Sequence, residues 1–115
     1  MTHKDLEQIK NTTDIYLLRR IKKLVHEIVP DAQIILYGSR ARGDAHANSD
    51  YDILILVNGP LNWRLERTIS DHLYDLELET GETLSIQVYS KDTWNSPIYR
   101  IIPFRKNVEQ EGLIL

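Results

Sequence analysis

Two aspartates, separated by a single residue, stand at the start of the most apolar stretch of this sequence. Asp50 and Asp52 come directly before the apolar run of residues 53–57. Such a run, bounded by polar turn residues, indicates a buried strand, and side chains two residues apart on a strand project to the same face. Carboxylate oxygens are the protein ligands that Mg²⁺ takes together with phosphate oxygens of a substrate. The pair therefore predicts a site for a metal-bound triphosphate.

A glycine-serine turn precedes this pair in the sequence. Gly38 and Ser39 follow the apolar run of residues 34–37, which indicates another buried strand. Glycine permits a close approach of the backbone, and turn amides can hold phosphate oxygens. The spacing from Gly38 to Gly43 matches the first part of a P-loop, but Asp44 and Ala45 follow where that motif has Lys and Ser or Thr. A carboxylate at the lysine position argues against a P-loop.

Apolar periodicity predicts the elements that must position these residues. The first is a helix that starts at Thr13, is capped by Thr12 or Thr13 and is stopped by Pro30, and strands over residues 33–37 and 53–57 follow it. A second helix is capped by Asn62 and ended by Gly81, and a strand over residues 83–89 comes after it. A helical turn after Ser90 and a helix from Pro103 to near Gly112 complete the order. A short helix around Leu6 and Ile9 is a further expectation. The order α-β-β-α-β-α predicts an α/β (α+β) fold, with a small mixed β-sheet flanked by helices.

Composition limits the class of protein. A chain of 115 residues is expected to form one domain over residues 1–115, and 42% hydrophobic with 27% charged residues is ordinary for a soluble one. The net charge of −3 makes direct nucleic-acid binding an unfavoured function. The sequence has no cysteine, which fits a reducing compartment, and no apolar run of membrane-spanning length. Its polar first residues lead us to expect no signal peptide. We therefore expect a cytoplasmic protein with no membrane contact.

The spacing G-S-x₁₀-D-x-D resembles the nucleotidyltransferase superfamily that includes DNA polymerase β and kanamycin nucleotidyltransferase. It is most similar to the minimal nucleotidyltransferases, stand-alone bacterial proteins often encoded beside a HEPN-domain partner. The family signature reads G-S-x-A-x-G, a variable loop, then S-D-x-D and an apolar strand. The matching residues here are Gly38, Ser39, Ala41, Gly43, Ser49, Asp50 and Asp52.

This resemblance implies a function. Asp50 and Asp52 would be the catalytic and metal-binding residues, with Mg²⁺ as the ion and Mn²⁺ as a substitute. The substrate would be a nucleoside triphosphate, most naturally ATP, whose nucleoside monophosphate passes to an acceptor hydroxyl; a HEPN toxin is the natural partner, with this chain as its antitoxin. The residues expected to bind nucleotide are Gly38, Ser39, Arg40, Arg42 and Ser49. For Arg40 and Arg42, solvated charges on a short helix are an equally good interpretation.

One departure from the family pattern leaves a second function open. The family usually has a third carboxylate on the next core strand, where this sequence offers only Ser85 and Gln87. Neither residue can act as a carboxylate base, and Glu79 and Glu82 lie just before the strand. The alternative is therefore a catalytically weak or inactive module that binds nucleotide, or acts as an antitoxin by binding a partner. The apolar C-terminus is also compatible with a homo-oligomer.

Overall fold

The computed structural model describes the backbone of Lys4–Asp5, together with Ile9 and residues 11–115. The helix expected around Leu6 and Ile9 falls largely outside these residues. Lys4–Asp5 form a short strand. The elements follow in chain order as β1 (Lys4–Asp5), α1 (Thr12–Ile28), β2 (Gln33–Tyr37), α2 (Ser39–Arg42), β3 (Tyr51–Val57), α3 (Trp63–Thr80), β4 (Leu84–Ser90), α4 (Lys91–Trp94), α5 (Pro97–Arg100), α6 (Pro103–Glu111) and β5 (Leu113–Ile114).

The strands form one mixed sheet in the order β1-β5-β2-β3-β4. β2 runs antiparallel to β3, which places Tyr37 beside Asp52. β4 runs parallel to β3, with Ser85 beside Asp52. The C-terminal strand β5 pairs antiparallel with β2 on its other side. The predicted mixed sheet flanked by helices is confirmed, while β1, β5 and α5 were not predicted.

Local capping explains where the two long helices begin and end. The side chain of Asn11 accepts a hydrogen bond from the Asp14 amide at 3.1 Å and caps α1. The predicted cap at Thr12 or Thr13 is therefore wrong, because both residues already lie inside the helix. Asn62 caps α3 through the Leu65 amide at 2.9 Å, as predicted. Gly81 ends α3 with a φ of 74°, also as predicted.

The sheet separates two apolar clusters, and this decides which way the aspartates face. Alternate residues of β3, including Tyr51 and Ile53, belong to the larger cluster under α1 and α3. Leu54 and Leu56 belong to the smaller cluster, which Trp94 and Val108 cover from α4 and α6. Asp52 shares the face of Leu54 because strand side chains alternate. The candidate site therefore lies on the side of the sheet that carries the C-terminal helices.

The helices of the described part of the chain are too short or too polar to cross a membrane.

Candidate functional site

Gly38 and Asp52 are in direct contact at the end of the β2–β3 pair. Gly38 follows the last residue of β2 and has φ 76° and ψ −159°. A Cβ atom at position 38 would lie 2.1 Å from Oδ2 of Asp52, closer than atoms can approach. Only glycine suits both the positive φ and this contact. The predicted phosphate-binding turn and the predicted metal ligand are thus brought together.

The electrostatics around Asp52 favour a bound cation. Asp50 is exposed and Asp52 is half-buried. Burial raises the pKa of Asp52 above its usual range, and the charges of Asp50 and Glu111 raise it further, against the opposing effect of Arg42. The pKa of Tyr37, beside Asp52, is raised to about 12 by burial first and then by the Asp52 charge. A divalent cation at the two aspartates would relieve this repulsion between negative charges.

The donor set fits Mg²⁺ with two protein carboxylates. Within the described part of the chain, no group of three His, Cys, Asp or Glu side chains is arranged to hold a metal ion. Mg²⁺ commonly takes one or two carboxylates and completes its octahedron with water and substrate phosphates. Asp50 and Asp52 suit this mode of binding, so the ion and the nucleotide would be bound together.

The neighbouring strand β4 supplies no third carboxylate, in agreement with the sequence. Ser85 lies beside Asp52 in the β3–β4 register, and Gln87 lies beside Leu54. Glu79 turns away from the site and makes a forked ion pair with Arg20. β4 therefore lacks the third carboxylate that the family usually has on this strand.

A carboxylate does reach the turn, but it comes from the last turn of α6. Glu111 accepts a hydrogen bond from the Gly38 amide through Oε1 at 2.9 Å. Its Oε2 accepts from Nη1 of Arg42 at 3.1 Å. Sequence reasoning missed Glu111, since no motif links it to a turn that lies 73 residues earlier. The one local feature beside Glu111 is Gly112, which marks the end of a helix just before a final apolar run.

Arg40 lies in a buried network rather than in solvent. Its guanidinium Nη1 is 3.3 Å from Oδ1 of Asp14, and both side chains are about nine-tenths buried. The hydroxyl of Tyr51 donates to the same Asp14 oxygen at 2.5 Å, and the Arg40 guanidinium stacks 4.3 Å from the centre of the Tyr51 ring. Arg40 Nη2 donates to the carbonyls of Ala47 and Ser49 at 3.3 and 2.9 Å. Arg40 therefore holds the loop before Asp50 from the α1 side of the sheet.

The other predicted nucleotide-binding residues lie nearer the rim of the site. Arg42 is half-exposed and pairs with Glu111 and Asp44, and its hydrogen bond with Glu111 is the main cause of its raised pKa. Ser39 is the first residue of α2, and its carbonyl accepts the Gly43 and Asp44 amides. Ser49 shapes the loop, since its hydroxyl accepts from the amide of His46 at 2.8 Å. Gly38, Ser39, Asp52 and Arg42 are thus grouped, while Arg40 and Ser49 are engaged in holding the loop.

Comparison with known proteins identifies related chains. The family model for the nucleotidyltransferase domain matches residues 18–115. A Methanocaldococcus jannaschii protein, MJ0604, named as a candidate protein adenylyltransferase, is 35% identical over 83 residues, which cover 72% of this chain and 76% of that protein. A bifunctional uridylyltransferase/uridylyl-removing enzyme of Photobacterium profundum is 40% identical over 58 residues, 48% of this chain. The match spans only 7% of the length of that enzyme.

A solved structure has the same fold. The crystal structure of a toxin-antitoxin with AMP-PNP superposes with a TM-score of 0.59 at 22% identity, covering 84% of this chain and 69% of that chain. The architecture found here is therefore one already known to occur in a toxin-antitoxin protein. The family match covers both the Gly-Ser turn and the aspartate pair. The chain belongs to the nucleotidyltransferase domain family.

Proposed function

We propose that this protein transfers AMP from ATP to a hydroxyl group of a partner protein, with Mg²⁺ as the metal ion. The observation that carries the proposal is the contact of Asp52 with Gly38, which puts a half-buried carboxylate against the turn predicted to bind phosphates. A purely structural turn has no need of a half-buried aspartate whose pKa is raised by burial and then by the charge of a second aspartate. The arrangement is the one expected of a site that binds a cation and a polyphosphate together.

The residues of the site have separate tasks in this reaction. Asp50 and Asp52 would hold Mg²⁺, which when bound polarises the α-phosphate and neutralises the leaving pyrophosphate. The Gly38–Ser39 turn and Arg42 would bind and orient the triphosphate. The acceptor oxygen forms a bond to the α-phosphorus, the bond between the α-phosphorus and the bridging oxygen breaks, and pyrophosphate leaves with the electron pair. The hydroxyl proton passes to solvent or to a carboxylate of the site.

Two similarities support adenylyl transfer to a protein. The M. jannaschii relative is named as a candidate protein adenylyltransferase, and the chain covers most of its length. The similar toxin-antitoxin structure holds AMP-PNP, an analogue of ATP. On this basis we propose a toxin protein as the acceptor, with a HEPN-domain protein as the first candidate. The absence of cysteine supports the cytoplasm as the place of action.

A specific observation favours a second candidate function. Ser85 stands beside Asp52 where a carboxylate base is expected, so the site has no acidic residue on β4 to take the hydroxyl proton. A protein with this site could bind Mg²⁺-nucleotide tightly and transfer it slowly or not at all. It would then neutralise its partner by binding alone.

Labelled nucleotides separate the two functions. The protein is incubated with α-³²P-labelled ATP, GTP, CTP or UTP and Mg²⁺ or Mn²⁺, alone and with the product of the neighbouring gene. Asp50→Asn/Asp52→Asn is the control variant. Label on the partner, present with ATP and lost in the double variant, supports adenylyl transfer. Mg²⁺-dependent binding without transfer supports the second candidate, and neither binding nor transfer contradicts both.

A further inference from the structure

The C-terminal segment is attached beside the strand that leads into the Gly-Ser turn. β5 pairs with β2, with Leu113 beside Leu36 and Ile114 beside Ile35. The amide of Leu115 donates to the carbonyl of Ile34 at 2.9 Å, which extends the pairing. The end of α6 is therefore held at the same edge of the fold as Gly38.

Gly112 makes the junction between α6 and β5 compact. A Cβ atom at position 112 would lie 2.5 Å from the Val108 carbonyl oxygen and 2.9 Å from Cγ2 of Ile35. The helix can therefore end directly on β2 with no intervening loop. This packing places the side chain of the preceding residue, Glu111, beside Gly38. The Glu111 side chain is 18% exposed there.

Glu111 uses both carboxylate oxygens on the candidate site. One accepts from the Gly38 amide and the other from the Arg42 guanidinium, at 2.9 and 3.1 Å. The Gly38 residue is thus held from two sides, by Glu111 at its amide and by Asp52 at its α-carbon. Hydrogen bonds to a charged acceptor are stronger than neutral ones and define an orientation.

We propose that Glu111 is a positioning residue of the nucleotidyl-transfer site, and that the α6–β5 segment is part of that site. Glu111 fixes the Gly38 peptide against Asp52 and holds Arg42 at the rim, so that the turn, the metal ligands and a cationic side chain keep one arrangement. This inference rests on the proposed function for what the site does. It assigns Glu111 no contact with the metal ion, because both of its oxygens are engaged by N–H donors and the described residues contain no three-carboxylate metal group.

Three substitutions at position 111 separate positioning from other roles. Glu111→Gln keeps an oxygen that can accept from the Gly38 amide. Glu111→Asp keeps the charge but shortens the side chain by one methylene, so that it no longer reaches. Glu111→Ala removes the group. Glu109→Ala is the matched control, because Glu109 lies on the same helix and pairs with Arg105 instead, at 2.9 Å.

Two measurements are made on each full-length variant. The first is amide hydrogen exchange at Gly38 by NMR, which needs no activity. We expect exchange to accelerate roughly tenfold in Glu111→Ala and Glu111→Asp and to change little in Glu111→Gln and Glu109→Ala. The second is Mg²⁺-dependent adenylyl transfer to the partner. It should fall roughly ten- to a hundredfold in the Ala and Asp variants. It should fall less, roughly threefold to tenfold, in the Gln variant, which keeps the bond from the Gly38 amide but presents Arg42 with a donor in place of an acceptor.

Other results overturn the inference. A Gln variant that loses as much transfer as the Ala variant, and needs more Mg²⁺, would make Glu111 a metal ligand or a base. An Ala variant that behaves like Glu109→Ala would make the contact incidental. If Glu111→Ala fails to fold, comparing Glu111→Asp with Glu111→Gln still decides whether Glu111 positions the turn. If the parent protein transfers no nucleotide, the proposed function fails, and exchange at Gly38 alone decides whether Glu111 fixes the turn.

Discussion

The carboxylate of Asp52 lies so close to the α-carbon of Gly38 that a side chain at position 38 would begin 2.1 Å from an Asp52 oxygen. This relationship joins the two halves of the candidate site, which the sequence separates by a helix and a loop. Any side chain at position 38 must turn the carboxylate away from the place where it would hold a cation.

Gly38→Ala should therefore damage binding more than stability. The new methyl group displaces the Asp52 carboxylate, and we expect Mg²⁺-dependent nucleotide affinity to fall about tenfold or more, because a charged ligand of the ion is misplaced. Gly59→Ala is the matched control. Gly59 has φ 75°, close to the 76° of Gly38, but nothing lies within 4 Å of its Cβ position.

Both glycine variants should lose about 1–3 kcal/mol in free energy of unfolding, because a side chain is strained at a positive φ. Calorimetric titration with AMP-PNP and chemical denaturation measure the two effects. Equal losses of affinity in the two variants would show that the contact with Asp52 has no part in binding.

Asp52→Asn should stabilise the protein at neutral pH. Burial and the Asp50 charge raise the pKa of Asp52, so the folded state binds its proton more tightly than the unfolded state does. The free energy of unfolding then falls as pH rises from the ordinary value of 3.8 through the raised pKa, and the loss persists at pH 7. The neutral amide removes that loss.

Denaturant unfolding of the parent and of Asp52→Asn over a pH series tests this sign. The difference in free energy of unfolding between Asp52→Asn and the parent should vanish below pH 3.8, the ordinary pKa of the carboxyl group. It should also shrink when Mg²⁺ is added, because the ion stabilises only the parent. A variant that is less stable than the parent at pH 7 without Mg²⁺ would contradict the electrostatic account.

The two arginines of the turn should give opposite results. Arg40→Ala leaves Asp14 buried without its cation and frees the loop carbonyls, and we expect a loss of about 3 kcal/mol in free energy of unfolding. Arg42 is half-exposed, so Arg42→Ala should leave the free energy of unfolding nearly unchanged and weaken nucleotide binding. Chemical denaturation measures the free energy of unfolding, and calorimetric titration measures nucleotide affinity. An Arg40→Ala variant that is as stable as the parent but binds nucleotide more weakly would show that Arg40 contacts the nucleotide.

Gly112→Ala should destabilise the protein although the backbone there is ordinary. The added methyl group meets the Val108 carbonyl and the Ile35 side chain, which forces α6 away from β2, and overpacking of this kind costs about 1–3 kcal/mol. The Gly38 amide should exchange faster in the same variant, because Glu111 moves with the helix. Unchanged unfolding and unchanged exchange at Gly38 would show that the junction tolerates a side chain.

The sequence predicted where Asp52 and the Gly-Ser turn lie in the fold, because both positions depend on local rules. Alternation along β3 puts Asp52 on one face and Tyr51 on the other, as the structure has them. Arg40 and Arg42 look equivalent in sequence, but residues two apart on a helical turn point to nearly opposite sides. Only the position of Asp14 on α1 decides that Arg40 is the buried one.

The role of the C-terminus could not be predicted for a different reason. β5 is two residues long, and a strand so short has no period to detect. Its pairing with β2 is what brings Glu111 to Gly38, across 73 residues of sequence. A contact of this kind is set by the assembled sheet and not by any local pattern.

Two positions of label in ATP test whether Asp50 and Asp52 support transfer of a nucleoside monophosphate. The parent protein and Asp50→Asn/Asp52→Asn are each incubated with the partner protein, Mg²⁺ and either α-³²P- or γ-³²P-labelled ATP. We expect that α-label alone appears on the partner, that γ-label leaves in pyrophosphate, and that the double variant transfers neither. Transfer of γ-label, or α-label transfer that survives the double substitution, would contradict it.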